Sequence, residues 1–133
     1  MTTRYAIDAG TALRIIRSNS DADRRHHLVA PALLRSDVLS ALYRDVRAGR
    51  ISEVDGKRQL ERLTELKLRL LGDRMSRAAS WRIAMRLGWD DTATAEYLAV
   101  ASLQADVLVT DDVRLAAGAE GIVSIVPWAG FDT

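Results

Sequence analysis

Asp8 ends a short apolar run, Tyr5, Ala6 and Ile7, and stands just before Gly10 and a stretch in which Leu13, Ile15 and Ile16 recur with helical spacing. Asp111 and Asp112 end a second run, Val107 to Thr110, that is apolar and largely β-branched. Asp37 follows Pro31 by six residues, and Asp90 and Asp91 precede the helix that leads to Val107. Carboxylates gathered at strand ends share one chemical problem. At about 5 Å and an effective dielectric near 20, each pair repels by roughly 3 kcal/mol, so a cluster needs a divalent cation or bound protons. Oxygen-only donors favour Mg²⁺, with Mn²⁺ as a substitute, over zinc.

Each acid also has a purely structural use. Asp8 can serve as a turn residue, and one of Asp111 and Asp112 can cap a short helix near Leu115, leaving the other for the site. Asp90 and Asp91 read first as helix caps. Asp37 is expected about two turns into its helix, beside Val38 on the core side. An unpaired acid is costly there, which favours a functional role. His26 and His27 lack a second ligand at helical spacing and read as strand-edge residues.

The elements that must position these acids alternate. Strands are expected over 4–8, 27–30, 107–110 and 122–126. Pro31 should lie in the first turn of a helix carrying Leu34, Val38, Ala41, Leu42 and Val46, with Gly49 as its stop. Ser52 caps the next helix (Val54, Leu60, Leu63, Leu66), with Gly56 an awkward residue in its first turn. Asp73 caps another that stacks Met75, Ala79, Ile83 and Leu87 on one face and closes at Gly88. Asp90 or Asp91 opens the helix through Tyr97, Leu98 and Ala101. Short apolar strands alternating with helices predict a three-layer α/β/α sandwich with a short, mainly parallel sheet, whose working site lies at the carboxyl ends of its strands.

Composition sets the outer limits. With 133 residues, 48% hydrophobic and 28% charged, the chain suits a single domain over 1–133. A net charge of +1 excludes a global field of the strongly basic kind. The absence of cysteine excludes disulfides, thiolate catalysis and cysteine-zinc sites. Apolar stretches of about five residues and the lack of a leader pattern predict neither membrane span nor signal peptide, hence a cytoplasmic protein. The basic residues are 17 arginines and 2 lysines, and arginine's planar fork suits phosphate.

The series Tyr5 to Asp8, Val29 to Pro31 with Asp37 beyond, Glu96 to Ala101, then Val109, Thr110, Asp111 and Asp112 ahead of Arg114 and Leu115 resembles the PIN-domain family. It is most similar to the VapC-type toxins of bacterial toxin-antitoxin pairs, nearly end to end. The resemblance implies a Mg²⁺-dependent endoribonuclease, usually a homodimer, restrained by a VapB-type antitoxin. It matches Asp8 to the first metal-binding aspartate and Thr110 and Asp112 to a Thr-x-Asp motif. Asp37 falls at a position usually held by glutamate, one methylene longer. Thr94 stands where the family pattern Thr-Tyr-Asp-Ala-x-Tyr has its aspartate, and Gly10 replaces a common serine. Asp91 and Asp111 are the acids placed to compensate.

The mechanism implied has Asp8 and Asp112 holding the metal, Asp37 assisting through water, and Arg14 and Arg114 holding flanking RNA phosphates. No histidine or lysine is placed for metal-free acid-base cleavage. A second reading is a degenerate PIN-like protein that binds antitoxin or RNA without efficient cleavage. The haloacid-dehalogenase motif fails because Gly10 stands where its second aspartate belongs. A receiver domain fails for want of a late lysine. The helices between Pro31 and Leu71 are expected to pair antiparallel, with a groove for an antitoxin helix or with both faces in the core. Trp81, Trp89 and Trp128 are left open between core and interface.

Overall fold

Five short strands pair side by side in parallel between layers of helices, the central β1, β2 and β4 being the most buried and the outer β3 and β5 the most exposed. The computed structural model describes residues 2–132. The elements are β1 (Arg4–Ile7), α1 (Ala9–Arg17), α2 (Ala22–Arg25), β2 (His27–Pro31), α3 (Leu34–Arg47), α4 (Glu53–Glu65) and β3 (Arg69–Leu71). They continue with α5 (Arg74–Leu87), α6 (Ala93–Gln104), β4 (Val107–Val109), α7 (Val113–Gly118), β5 (Ser124–Val126) and α8 (Trp128–Phe131). The sheet order is β3-β2-β1-β4-β5. The expected three-layer α/β/α class holds, with every pairing parallel.

Connectivity assigns the layers. The chain steps from β1 outward to β2 and β3, then crosses back to β4 and β5. Right-handed crossovers therefore put α1 to α4 on one face and α5 to α7 on the other. The packing agrees, because α1, α3 and α4 touch one another while α6 touches α5 and α7. Strand order reverses between β1 and β4, which is where an open α/β sheet forms a crevice at its carboxyl edge.

Ile7, Ile15, Leu34, Val38, Leu98, Leu108 and Val109 are completely buried, each contributing about 1.5–3 kcal/mol. Helix α6 is apolar on nearly all sides, being trapped between the sheet and α5. Asp73 and Ser76 form a reciprocal capping box at the start of α5, and Gly88 ends that helix at φ 70°. Gly56 has a different task. A Cβ there would stand 2.6 Å from Val46 Cγ2, so the missing side chain lets α4 approach α3.

Several local expectations are corrected. Pro31 closes β2, where Val29, Ala30 and Pro31 pair with Arg69, Leu70 and Leu71; it does not open α3. That helix starts at Leu34, which puts Asp37 in its first turn rather than two turns in. Strand β3 was hidden behind a helical leucine pattern, and α2 and α8 were not anticipated. The last strand begins at Ser124, not 122. Met75 is 67% exposed, so it leaves the inward face assigned to it on α5.

Candidate active site

At the switch point between β1 and β4 the carboxyl ends of the strands are tied together by helix capping. Asp8 follows the last residue of β1 and caps α1, its Oδ1 accepting a 2.8 Å bond from the Thr11 N–H. The Thr11 hydroxyl donates to the Val109 carbonyl at 2.9 Å, tying α1 to β4. One residue beyond β4, the Thr110 hydroxyl donates to Asp8 Oδ2 at 2.5 Å and accepts from the Asp112 N–H at 2.9 Å. Asp112 in turn caps α7, its Oδ1 accepting from the Leu115 N–H at 2.8 Å. One unbroken relay, Asp112 N–H to Thr110 to Asp8, thus joins two aspartates 104 positions apart in the chain. Asp8 and Thr110 are buried, at 6% and 3% exposure. Buried polar groups of this kind are stable only when fully bonded.

A second carboxylate group forms beside α6. The Tyr97 hydroxyl donates a 2.6 Å hydrogen bond to Asp37 Oδ2, joining α6 to the first turn of α3. Burial, that hydrogen bond and the charges of Asp37, Asp8 and Glu96 raise the Tyr97 phenol above its ordinary range, so it stays a donor. The Glu96 carboxyl is raised by burial and then by the charge of Asp37. Asp8, Asp37 and Glu96 therefore share the electrostatic surroundings of one phenol. Glu96 has no site role in the sequence motifs, yet it is the sole acid between residues 92 and 105. An isolated acid in an apolar helix was the available signal.

The remaining residues are placed as follows. Thr94 is half-buried near the start of α6, three residues before Tyr97. Asp91 is exposed and its carboxylate accepts from the Ala93 N–H at 3.2 Å, but the N-cap of α6 is Thr92, with no side-chain cap bond, so neither Asp90 nor Asp91 takes the capping role expected of them. Asp111 takes no part in the relay; it accepts from the Trp128 N–H at 3.2 Å and pairs with Arg14 at 3.3 Å. Arg114 lies over the Trp89 ring, 4.5 Å from its centroid. Trp81 is exposed and Trp128 packs near Phe131.

The donor chemistry suits a hard cation, since Asp8, Asp112, Asp37 and Thr110 offer only oxygen. Among the described residues, however, no three histidine, aspartate or glutamate side chains stand together as an ion-holding group. This excludes a closed all-protein cage but fits Mg²⁺, which commonly keeps several waters and takes one or two carboxylates plus substrate phosphate.

Away from this crevice, a cavity of 460 Å³ lies between α3 and α4, lined by Leu39, Leu42, Tyr43, Val46, Gly56 and Leu60 with Arg47, Glu53 and Lys57 around them. Leu39 and Tyr43 are 50% and 63% exposed, so the helix pair does leave an apolar groove. No described helix is long and apolar enough to cross a membrane.

No family model and no curated protein matches the chain. Solved structures do. The crystal structure of PAE2754 from Pyrobaculum aerophilum matches with a TM-score of 0.78 at 24% identity, covering 98% of this chain and 93% of that one. VapBC2 from Rickettsia felis, bound to a DNA fragment from their promoter, matches at 0.63 and 8% identity, covering 94% and 98%. VapBC-1 from nontypeable Haemophilus influenzae matches at 0.58 and 12%, covering 95% and 98%. The likeness is one of fold, and that fold is PIN-like.

Proposed function

We propose that this chain is a VapC-like toxin whose β1–β4 crevice is the active site of a metal-dependent endoribonuclease acting in the cytoplasm. The observation that carries this reading is the Asp112–Thr110–Asp8 relay at the point where strand order reverses. In this reading Asp8 and Asp112 would hold Mg²⁺, or Mn²⁺ in its place, with Asp37 assisting through water. When bound, the ion would activate water and neutralise charge developing on the scissile phosphate. The protein's own part is preorganisation. Thr11 and Thr110 fix the Asp8 carboxylate, and Leu115 fixes Asp112 through one oxygen, leaving Oδ2 without a hydrogen bond among the described residues. Tyr97 restrains Asp37 in the same way. In the same reading Arg14, ion-paired with Asp111, and Arg114, stacked on Trp89, would contact the flanking phosphates. Purified protein incubated with total RNA and Mg²⁺ or Mn²⁺ should yield discrete products that vanish with Asp8→Asn. Cleavage undiminished in that variant would defeat the proposal.

A second reading is favoured by the absence, among the described residues, of a three-acid group, together with Thr94 at the position of an expected acid. Here the fold binds an antitoxin or RNA without efficient turnover. Calorimetric titration with Mn²⁺ separates the two: no heat from the native chain, and binding gained by Thr94→Asp, supports the degenerate form. Tight binding by the native chain removes it.

For a partner, we assign the α3–α4 groove to an amphipathic helix of a VapB-type antitoxin. The support is the apolar floor, the mixed rim of Arg47, Glu53 and Lys57, and the toxin-antitoxin complexes among the structural neighbours. Homodimerisation belongs to the same proposal.

A further inference from the structure

The amino ends of the strands, opposite the acid crevice, carry a second feature. A cavity of 400 Å³ there is lined by Arg4, His26, His27, Lys67 and Arg69 around Leu28, Val29 and Leu68, with no acid in its wall. Sheet register explains the gathering. Arg4 pairs with His27, and Val29 pairs with Arg69, so Arg4, His27 and Arg69 project from one face of three adjacent strands, with Val29 between them. The acids around this wall have partners of their own, and Asp21 and Asp132, whose charges act on His26, both pair with Arg25. Asp106 accepts from the backbone N–H of Arg4 at 2.9 Å. Asp23 is buried against Arg62 and the Lys67 N–H. Among the described residues the side chains of Arg4, Lys67 and Arg69 make no ion pair.

Edge protection does not account for this arrangement. A lysine or arginine on β3, an outer strand, discourages pairing with another chain, but Arg4 lies on β1, the central strand. Arg4, Lys67 and Arg69, none of them ion-paired among the described residues, repel each other across one cavity wall, and a bound phosphate relieves that repulsion while accepting the forked donors of both arginines. We propose that this cleft is a phosphate-binding site, separate from the acid crevice, which takes a backbone phosphate of a single-stranded nucleic acid. The wall is open to solvent at Arg4, His27, Lys67 and Arg69, as passage of a strand requires.

The test uses a fluorescent 12-nucleotide single-stranded RNA in EDTA, so that cleavage does not enter. Binding is compared among the native protein, Arg4→Ala/Arg69→Ala, and Arg82→Ala/Arg86→Ala, which removes the same charge from the exposed face of α5. The first pair should weaken binding about tenfold and lower the salt slope by about 1.4, two contacts at about 0.7 each. The control should bind like the native chain, and all three should share one unfolding midpoint. Inorganic phosphate should shift the backbone amide signals of Arg4, His27 and Arg69; if RNA binds no more tightly than phosphate, the natural ligand is a free phosphate and the strand assignment falls. Equal losses in both variants, or phosphate shifts confined to other residues, overturn the site. Because the assay contains no active metal, loss of this proposal leaves the nuclease reading standing, and the reverse also holds.

Discussion

Tyr97 and Asp37, 60 positions apart in the chain, are joined by a 2.6 Å hydrogen bond that locks α6 to the first turn of α3. A hydrogen bond to a charged group contributes roughly 1.5–3 kcal/mol. Tyr97→Phe should therefore lower unfolding stability by about 1.5–3 kcal/mol, read by denaturant titration. An unchanged midpoint would mean that the bond is replaced by water at no cost.

Thr110 bonds in both directions, so its hydroxyl should matter more than its methyl group. Thr110→Val strands the buried Asp8 Oδ2 and leaves the Asp112 N–H unpaired, at about 2–3 kcal/mol. Thr110→Ser should retain most of the native stability and of any cleavage. Equal damage from valine and serine would show that packing, not the relay, is what Thr110 provides.

Glu96 should make the fold pay for ionisation. Its folded pKa is raised by burial and by Asp37, so the protonated form suits the fold. The penalty is absent well below the unfolded value of 4.5 and grows as pH rises through the folded value. Glu96→Gln should therefore be more stable than the native chain at pH 7, and the difference should close near pH 3. A variant less stable at pH 7 would reveal a favourable partner for the carboxylate.

His26 should act with the opposite sense. Its Nε2 is buried without a hydrogen-bond partner, and its ring packs against Tyr5 and Phe131. Burial and Arg25 lower its pKa, against the smaller opposing pull of Asp132 and Asp21. The neutral ring's contribution is present above the unfolded value of 6.5 and is lost as pH falls toward the folded one. Stability measured from pH 7.5 to 5 should fall for the native chain and fall less for His26→Phe; parallel curves would exclude the ring as the source.

Gly56→Ala tests the groove. Alanine favours a helix by about 1 kcal/mol, but the new Cβ would meet Val46 Cγ2 at 2.6 Å. Overpacking typically costs about 1–3 kcal/mol. The variant should be less stable than the native chain, and a gain in midpoint would show that α3 and α4 can separate freely.

The strands that hold Asp8 and Asp112 were readable because each is a short apolar run stopped by an acid, with a helix pattern following. Helix α5 was readable from its two caps, Asp73 and Gly88. What escaped the sequence depends on distant pairing. Arg69–Leu71 becomes a strand only because β2 offers it an edge, and that same pairing draws Pro31 into the sheet and delays α3. The place of Asp37 followed from that shift, since it brings the carboxylate to the Tyr97 hydroxyl. Glu96 went unassigned because its surroundings come from α3, far away in sequence. Gly56 looks out of place in a helix because Val46, the side chain that needs its space, belongs to the preceding helix.

Asp8 and Asp112 should jointly hold a divalent cation. A crystal soaked in Mn²⁺ and measured at the manganese absorption edge tests it most directly. An anomalous peak is expected between these two carboxylates and should disappear in Asp8→Asn; no peak there in the native protein, or one that survives the substitution, would mean that the pair does not hold the ion.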